Sequence, residues 1–191
     1  MEFVSIFVQD PEAEPCGLWS ACYPEDCELE GQLDVFQKIF RLWGDTSYLL
    51  EFFNNNITDL RTPFWNGMTV DDAIDQVIDE ALDFQAQLRC VELQLPPCKN
   101  QNFQKIFKQL DKHEFQLRPG TSQFRKARPR VNNAMLRIYA IELEDCHVVT
   151  GGAIKLTEKM DRDHLQFEIR RLQRVSDFLK SLGISSSKGL I

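Results

Sequence analysis

Long apolar runs are missing from this 191-residue chain; the longest are a few residues, far short of a membrane span. The opening MEFVSIFVQD also lacks a basic region followed by an extended apolar one, so no export signal is expected there. Both absences predict a cytoplasmic protein with no membrane partner. Cysteine occurs six times but never as a Cys-x-x-Cys pair. Cys16, Cys22, Cys27, Cys90, Cys98 and Cys146 are scattered, which predicts free thiols and disfavours a structural zinc site, whose ligands come as closely spaced pairs. No internal repeat and no low-complexity segment interrupts the chain.

Positive charge is scarce in the first half. Residues 1–99 hold five Lys+Arg against 19 Asp+Glu, net -14, whereas residues 100–191 hold 17 against ten, net +7. Oppositely charged halves point to a basic surface for a polyanion, an acidic surface for another partner, or two surfaces that partly neutralise each other.

Apolar content is sufficient for a core: 43% of residues are hydrophobic and 14 are Phe. The β-prone run Phe3 to Val8 predicts a first strand, and Gly17 to Tyr23 a second that pairs with it. Apolar residues from Leu29 to Trp43 recur at three and four, which predicts an amphipathic helix ended by Gly44; Asp45 or Thr46 then caps a helix through Phe53. Thr69 followed by Asp72 starts the clearest helix, with Val70, Ala73, Ile74, Val77, Ile78, Ala81, Leu82, Leu88 and Val91 on one face. Its acids, Asp71, Asp72, Asp75, Asp79, Glu80 and Asp83, read as a solvated face, because no His accompanies them as in helical metal sites. No metal or cofactor is expected.

Pro96-Pro97 breaks that helix where the charge changes sign, dividing an acidic 1–99 segment from a basic 100–184 core, with 185–191 as a frayed tail. A short helix from Phe103 to Leu110 and an extended His113 to Leu117 follow. Between Phe115 and Ile141 stand six cations and no acid, with Phe124 read as exposed, a composition typical of phosphate-contacting loops. Leu136 to Leu143 and Cys146 to Thr157 form a hairpin, with a bulge or close approach at Gly151-Gly152. The last helix runs from Asp161 or Asp163 to Gly183 with Arg170, Arg171 and Arg174 outward. The fold class is α+β: a small antiparallel sheet flanked by helices.

Three stretches, HEFQLR ending in Leu117-Arg118, LRIYAIEL, and GGAIKLT with its Gly-Gly-x-x-Lys, carry a family resemblance. Closed by a helix, they resemble the RelE/ParE superfamily of bacterial toxins, particularly its HigB-like branch, over about residues 103–182, with an N-terminal helical elaboration. The resemblance implies the toxin of a toxin-antitoxin pair, a metal-independent endoribonuclease that cuts mRNA, often on the ribosome, and is neutralised by a cognate antitoxin. Such cleavage must deprotonate the 2'-hydroxyl, stabilise a pentavalent phosphate and protonate the leaving oxygen. On that reading Arg118, Arg137 and Lys155 stabilise the phosphate, Tyr139 stacks on a base or assists proton transfer, and His164 is an acid or base. Arg125, Lys126, Arg128, Arg130 and Lys159 would contact the nucleic acid. Two alternatives stay open: a non-enzymatic module whose basic half grips a nucleic acid or an acidic partner, and a chain whose acidic half covers the basic sheet as a built-in inhibitor.

Overall fold

A computed structural model of the chain describes residues 1–7, 17–24, 33–110 and 123–191. Among them, six strands form one sheet: β1 (Glu2–Ser5), β2 (Leu18–Cys22), β3 (Lys108–Gln109), β4 (Phe124–Ala127), β5 (Leu136–Glu142) and β6 (His147–Ile154), in the order β1-β2-β6-β5-β4-β3. All pairings are antiparallel except β2 on β6, which is parallel. The sheet is therefore mixed rather than purely antiparallel. The whole helical stretch separates β2 from β6, and so long a connection lets the N-terminal hairpin join in either direction.

The helices are α1 (Val35–Trp43), α2 (Thr46–Asn55), α3 (Ile57–Leu60), α4 (Val70–Glu92), α5 (Phe103–Ile106) and α6 (Asp163–Ser181). Local chemistry sets their starts. Asp34 caps α1 by accepting from Gln37 N at 3.0 Å, and Asp45 caps α2 by accepting from Ser47 N and Tyr48 N. Thr69 and Asp72 close a reciprocal capping box on α4. No helix among the described residues is long and apolar enough to cross a membrane.

The sheet and helices share one apolar core. The Phe40 ring meets those of Phe36, Trp43 and Phe84 at 4.6, 5.1 and 6.4 Å between centroids, which joins α1 to α4. α1 is tied to β2 where Phe36 N donates to Ser20 Oγ at 2.9 Å. α6 packs over β6 and β5, and Phe3 of β1 meets Phe178 of α6. At the hairpin, Val149 and Gly151 face Ala140 and Tyr139, leaving Thr150 as a bulge. Tyr23 Oη donates to the Thr150 carbonyl at 2.9 Å, satisfying it inside the core.

Gly151 and Gly152 are where β6 is approached most closely. A Cβ at Gly152 would stand 2.9 Å from Ile39 Cδ1 and from Trp43 Cζ2, and one at Gly151 would overlap the Glu168 carboxylate of α6. Glu168 is buried, 3.6 Å from Arg171, and burial pushes its pKa up to about 7.

Several sequence expectations change. Leu82 is 63% exposed and Phe84 is buried instead, because the face through Ala81 continues three and seven residues on, at Phe84 and Leu88. Glu80 leaves the solvated acidic face: its buried carboxylate accepts from Met135 N at 3.0 and 2.9 Å, Leu136 N at 2.9 Å and Gln76 Nε2 at 2.7 Å. Phe124 is buried in β4, where strand pairing turns it inward, and the helix from Phe103 stops at Ile106 before β3. Arg171 is not an outward cation but lies 4.2 Å over the Tyr23 ring. Cys90 and Cys98 form a disulfide, because the turn after α4 returns Cys98 to within 5.7 Å (Cα–Cα) of Cys90. The tail docks instead of fraying: Asp145 accepts from Ser187 N at 2.8 Å and Ser187 Oγ at 2.6 Å, and Leu190 is buried.

Glu80 anchors the amides that open β5, so Glu80→Ala leaves two buried donors without their acceptor and should cost about 2–6 kcal/mol in chemical denaturation, given about 1–3 kcal/mol per orphaned group. An unchanged denaturation midpoint would refute that anchoring role. For Glu168 the folded state holds a proton more tightly than the unfolded one. Its stabilising contribution is therefore full below pH 4.5 and lost as pH rises to about 7. The stability difference between wild type and Glu168→Gln should shift in favour of the variant across that window, by up to about 3 kcal/mol. A difference that stays flat with pH would contradict it.

Candidate functional site

Strand alternation explains why Arg137 and Lys155 meet. Arg137 stands opposite Ala153, and Lys155 follows two residues later, so the two share a face as diagonal neighbours, about 7 Å apart. Both line a cleft of about 600 Å³ at the end of the β5–β6 hairpin. Lys155 is 8% exposed, and Arg137 is held by its own backbone, donating from Nη1 to the carbonyls of Ala134 at 2.8 Å and Leu136 at 2.7 Å. The Glu80 clamp on Met135 and Leu136 fixes the residues immediately before Arg137.

The same cleft is lined by Arg128, which follows β4, and by Lys159 and Arg162 from the β6–α6 connection. Its described carboxylates are Glu158 and Asp161, leaving a formal excess of three positive charges. Clustered charge at a low-dielectric wall concentrates anions. Arg162 is gripped by the buried Asp59, with Nε to Oδ2 at 2.7 Å and Nη2 to Oδ1 at 2.6 Å. That hydrogen-bonded pairing holds the Asp59 carboxyl below its usual range and pushes the Arg162 guanidinium above its own.

Another part of the wall comes from the acidic half, through Thr62, Phe64 and Trp65. Pro63–Trp65 is a single 3-10 turn, closed by left-handed Asn66 (φ 49°) and Gly67 (φ 76°). Trp65 is buried and its Nε1 donates to the Leu156 carbonyl at 2.9 Å, one residue beyond Lys155. Among the described lining residues, the first half of the chain contributes no carboxylate.

Four of the residues singled out from the sequence, Arg128, Arg137, Lys155 and Lys159, therefore lie on one cleft. Arg118 lies outside the described residues, as does His113. Tyr139 does not line the cleft; it is 1% exposed, with its hydroxyl 3.5 Å from Met160 Sδ. His164 is packed edge-to-face on Phe52 at 5.3 Å, with Nε2 3.0 Å from the Ile154 carbonyl, and burial lowers its pKa. Arg125 forms an ion pair with Glu142 on the neighbouring strand, and Lys126 is half-buried on β4. Arg130 donates to Gln101 Oε1 at 3.0 Å in a second groove of about 390 Å³, which also gathers Lys105, Lys108 and Arg128. Arg128 is shared, so the basic surface continues from the cleft into this groove.

His147 and Cys146 face elsewhere. His147 is stacked on Phe107 at 5.0 Å, and burial pushes its pKa down to about 4 despite Glu142 at 3.9 Å. Burial pushes the Cys146 thiol up to about 12, which leaves it protonated and unreactive. Sequence reasoning missed Arg162, Thr62, Phe64 and Trp65. A signal existed for Phe64: in TPFWNG it sits between turn formers, outside any helical or strand period, whereas its neighbour Trp65 joins the core.

Trp65→Phe keeps a ring but removes the donor to Leu156. We expect a loss of about 1 kcal/mol or somewhat more in chemical denaturation, since a buried carbonyl loses its partner; wild-type stability would show that this bond does not hold the wall.

No protein-family model, no curated protein and no solved structure significantly matches this chain.

Proposed function

We propose that the cleft binds an RNA phosphodiester and cleaves it, and that the chain is the endoribonuclease toxin of a RelE/HigB-like pair. The observation that carries this reading is the gathering of Arg128, Arg137, Lys155, Lys159 and Arg162 on one cleft, with Arg137 on β5 and Lys155 directly after β6, its N donating to the Met135 carbonyl at 2.8 Å. A phosphorane carries more negative charge than the diester it forms from, so cations fixed before the substrate arrives stabilise the transition state selectively. Rigid strands and bidentate pairing supply that fixation here.

Cleavage needs a base and an acid as well as cations. Glu158 and Asp161 are the carboxylates of the described lining, and Asp161 lies 3.4 Å from Arg162. In the proposed reaction Glu158 takes the 2'-hydroxyl proton as the 2'-oxygen attacks phosphorus. The bond from phosphorus to the 5'-oxygen breaks, and that oxygen takes a proton from the Lys155 ammonium. The products are a 2',3'-cyclic phosphate and a 5'-hydroxyl. Proton transfer in the transition state contributes about 10²–10⁴-fold.

One observation favours a second, non-enzymatic reading in which the basic cleft and adjoining groove only hold the nucleic acid: neither Tyr139 nor His164 lines the cleft. Incubation of the full chain with single-stranded RNA, followed by end-group analysis, separates the two. The nuclease reading predicts cyclic-phosphate ends, losses of about 100-fold or more for Arg137→Ala and Lys155→Ala, and a change within about three-fold for His164→Ala. Binding that falls with salt while the RNA stays intact, free and on ribosomes, selects the second reading.

A further inference from the structure

We propose that Phe64 is a base-stacking platform, so that the ligand of the cationic cleft is single-stranded RNA held by a phosphate and by an unpaired base beside it. This rests on the reading of the cleft as an RNA site and names the part of the RNA that Phe64 recognises.

Phe64 lines the cleft and is 55% exposed. It is nonetheless held at both ends of its turn. Trp65 packs edge-to-face against it, with centroids 4.8 Å apart at 88°, and is itself bonded to Leu156 beside Lys155. On the other side, Thr62 Oγ1 donates to the Asp59 carbonyl at 3.0 Å, and the Asp59 carboxylate grips Arg162. The ring and two cleft cations, Lys155 and Arg162, are thus tied to the same short framework.

An exposed phenyl ring without a hydrogen-bonding atom suits a π-face more than a polar group. Cations tracking a backbone beside an aromatic ring are the combination that binds single strands, because every base presents a π-face once it is unpaired. A duplex keeps its bases stacked on one another and offers such a platform nothing. Fixing the ring in advance lowers the ordering cost of stacking. Tyr139, the aromatic in the LRIYAIEL motif, is sealed in the core and cannot serve this role.

The test is fluorescence anisotropy of a labelled, uncleavable 2'-O-methyl RNA single strand and of a duplex of the same sequence, with the full chain as wild type, Phe64→Ala, Phe64→Trp and Arg137→Ala. Phe64→Ala should weaken single-strand binding by roughly 5- to 150-fold, the range of one base stacked on an aromatic ring, and Phe64→Trp should restore it. Duplex affinity and competition by inorganic pyrophosphate should be the same for wild type and Phe64→Ala. Single-strand binding unchanged in Phe64→Ala but weakened in Arg137→Ala would overturn the platform and leave the cleft reading standing, as would an equal loss on single strand and duplex. Wild type that binds neither RNA would remove the cleft reading, and the platform with it.

Discussion

Two consecutive residues without side chains allow β6 to be approached as closely as it is. Ile39 and Trp43 of α1 occupy the space a Cβ would need at Gly152, and the Glu168 carboxylate occupies it at Gly151. The strand on which the sheet's parallel and antiparallel parts join is therefore also the strand on which α1 and α6 close. The Thr150 bulge beside the glycines adds twist, and the Tyr23 hydroxyl takes up the carbonyl there. Beyond this grip β6 emerges with Lys155 in a defined place.

The cleft is assembled by polar bonds that reach across the change of charge sign. Glu80 on α4 sets the amides before Arg137, Asp59 on α3 holds Arg162, and the Trp65 indole meets the Leu156 carbonyl. All three partners on the acidic side belong to the helical stretch, and all three on the basic side flank the cleft. Among the described residues, the acidic half thus braces the basic one and gives the cleft lining Thr62, Phe64 and Trp65. Asp71, Asp75 and Asp79 on α4 remain exposed. That leaves a solvated acidic face next to a cationic recess on one sheet.

Elements whose signal is local were legible. The Thr69/Asp72 capping box, the hairpin from Leu136, the close approach at Gly151-Gly152 and the pairing of the first two strands all follow from spacing and turn chemistry. Arg137 and Lys155 could be placed on a shared face for the same reason, because period two needs only the register of one hairpin. Where the reading failed, the deciding partner was distant in sequence. Glu80 looked solvated until Met135 came to it, Phe124 looked like loop until β5 paired with its strand, and the tail looked frayed until Asp145 bonded Ser187. Tyr139 shares the alternation of Arg137 but lies one pair deeper in the sheet, and that depth, not its face, removes it from the cleft.

By itself, the sequence determined the α+β class, the opposite charges of the two halves and the residue types able to meet a phosphate, since composition and period are properties of the chain alone. Only the tertiary structure decided which cations share a cleft, that Arg162 and Phe64 join them, and that His164 packs against Phe52. The physical reason is range. Capping and alternation act over a few residues, whereas the Asp59–Arg162 pair spans 103 positions and the Trp65–Leu156 bond 91. Such bonds form only when folding has already brought their ends together.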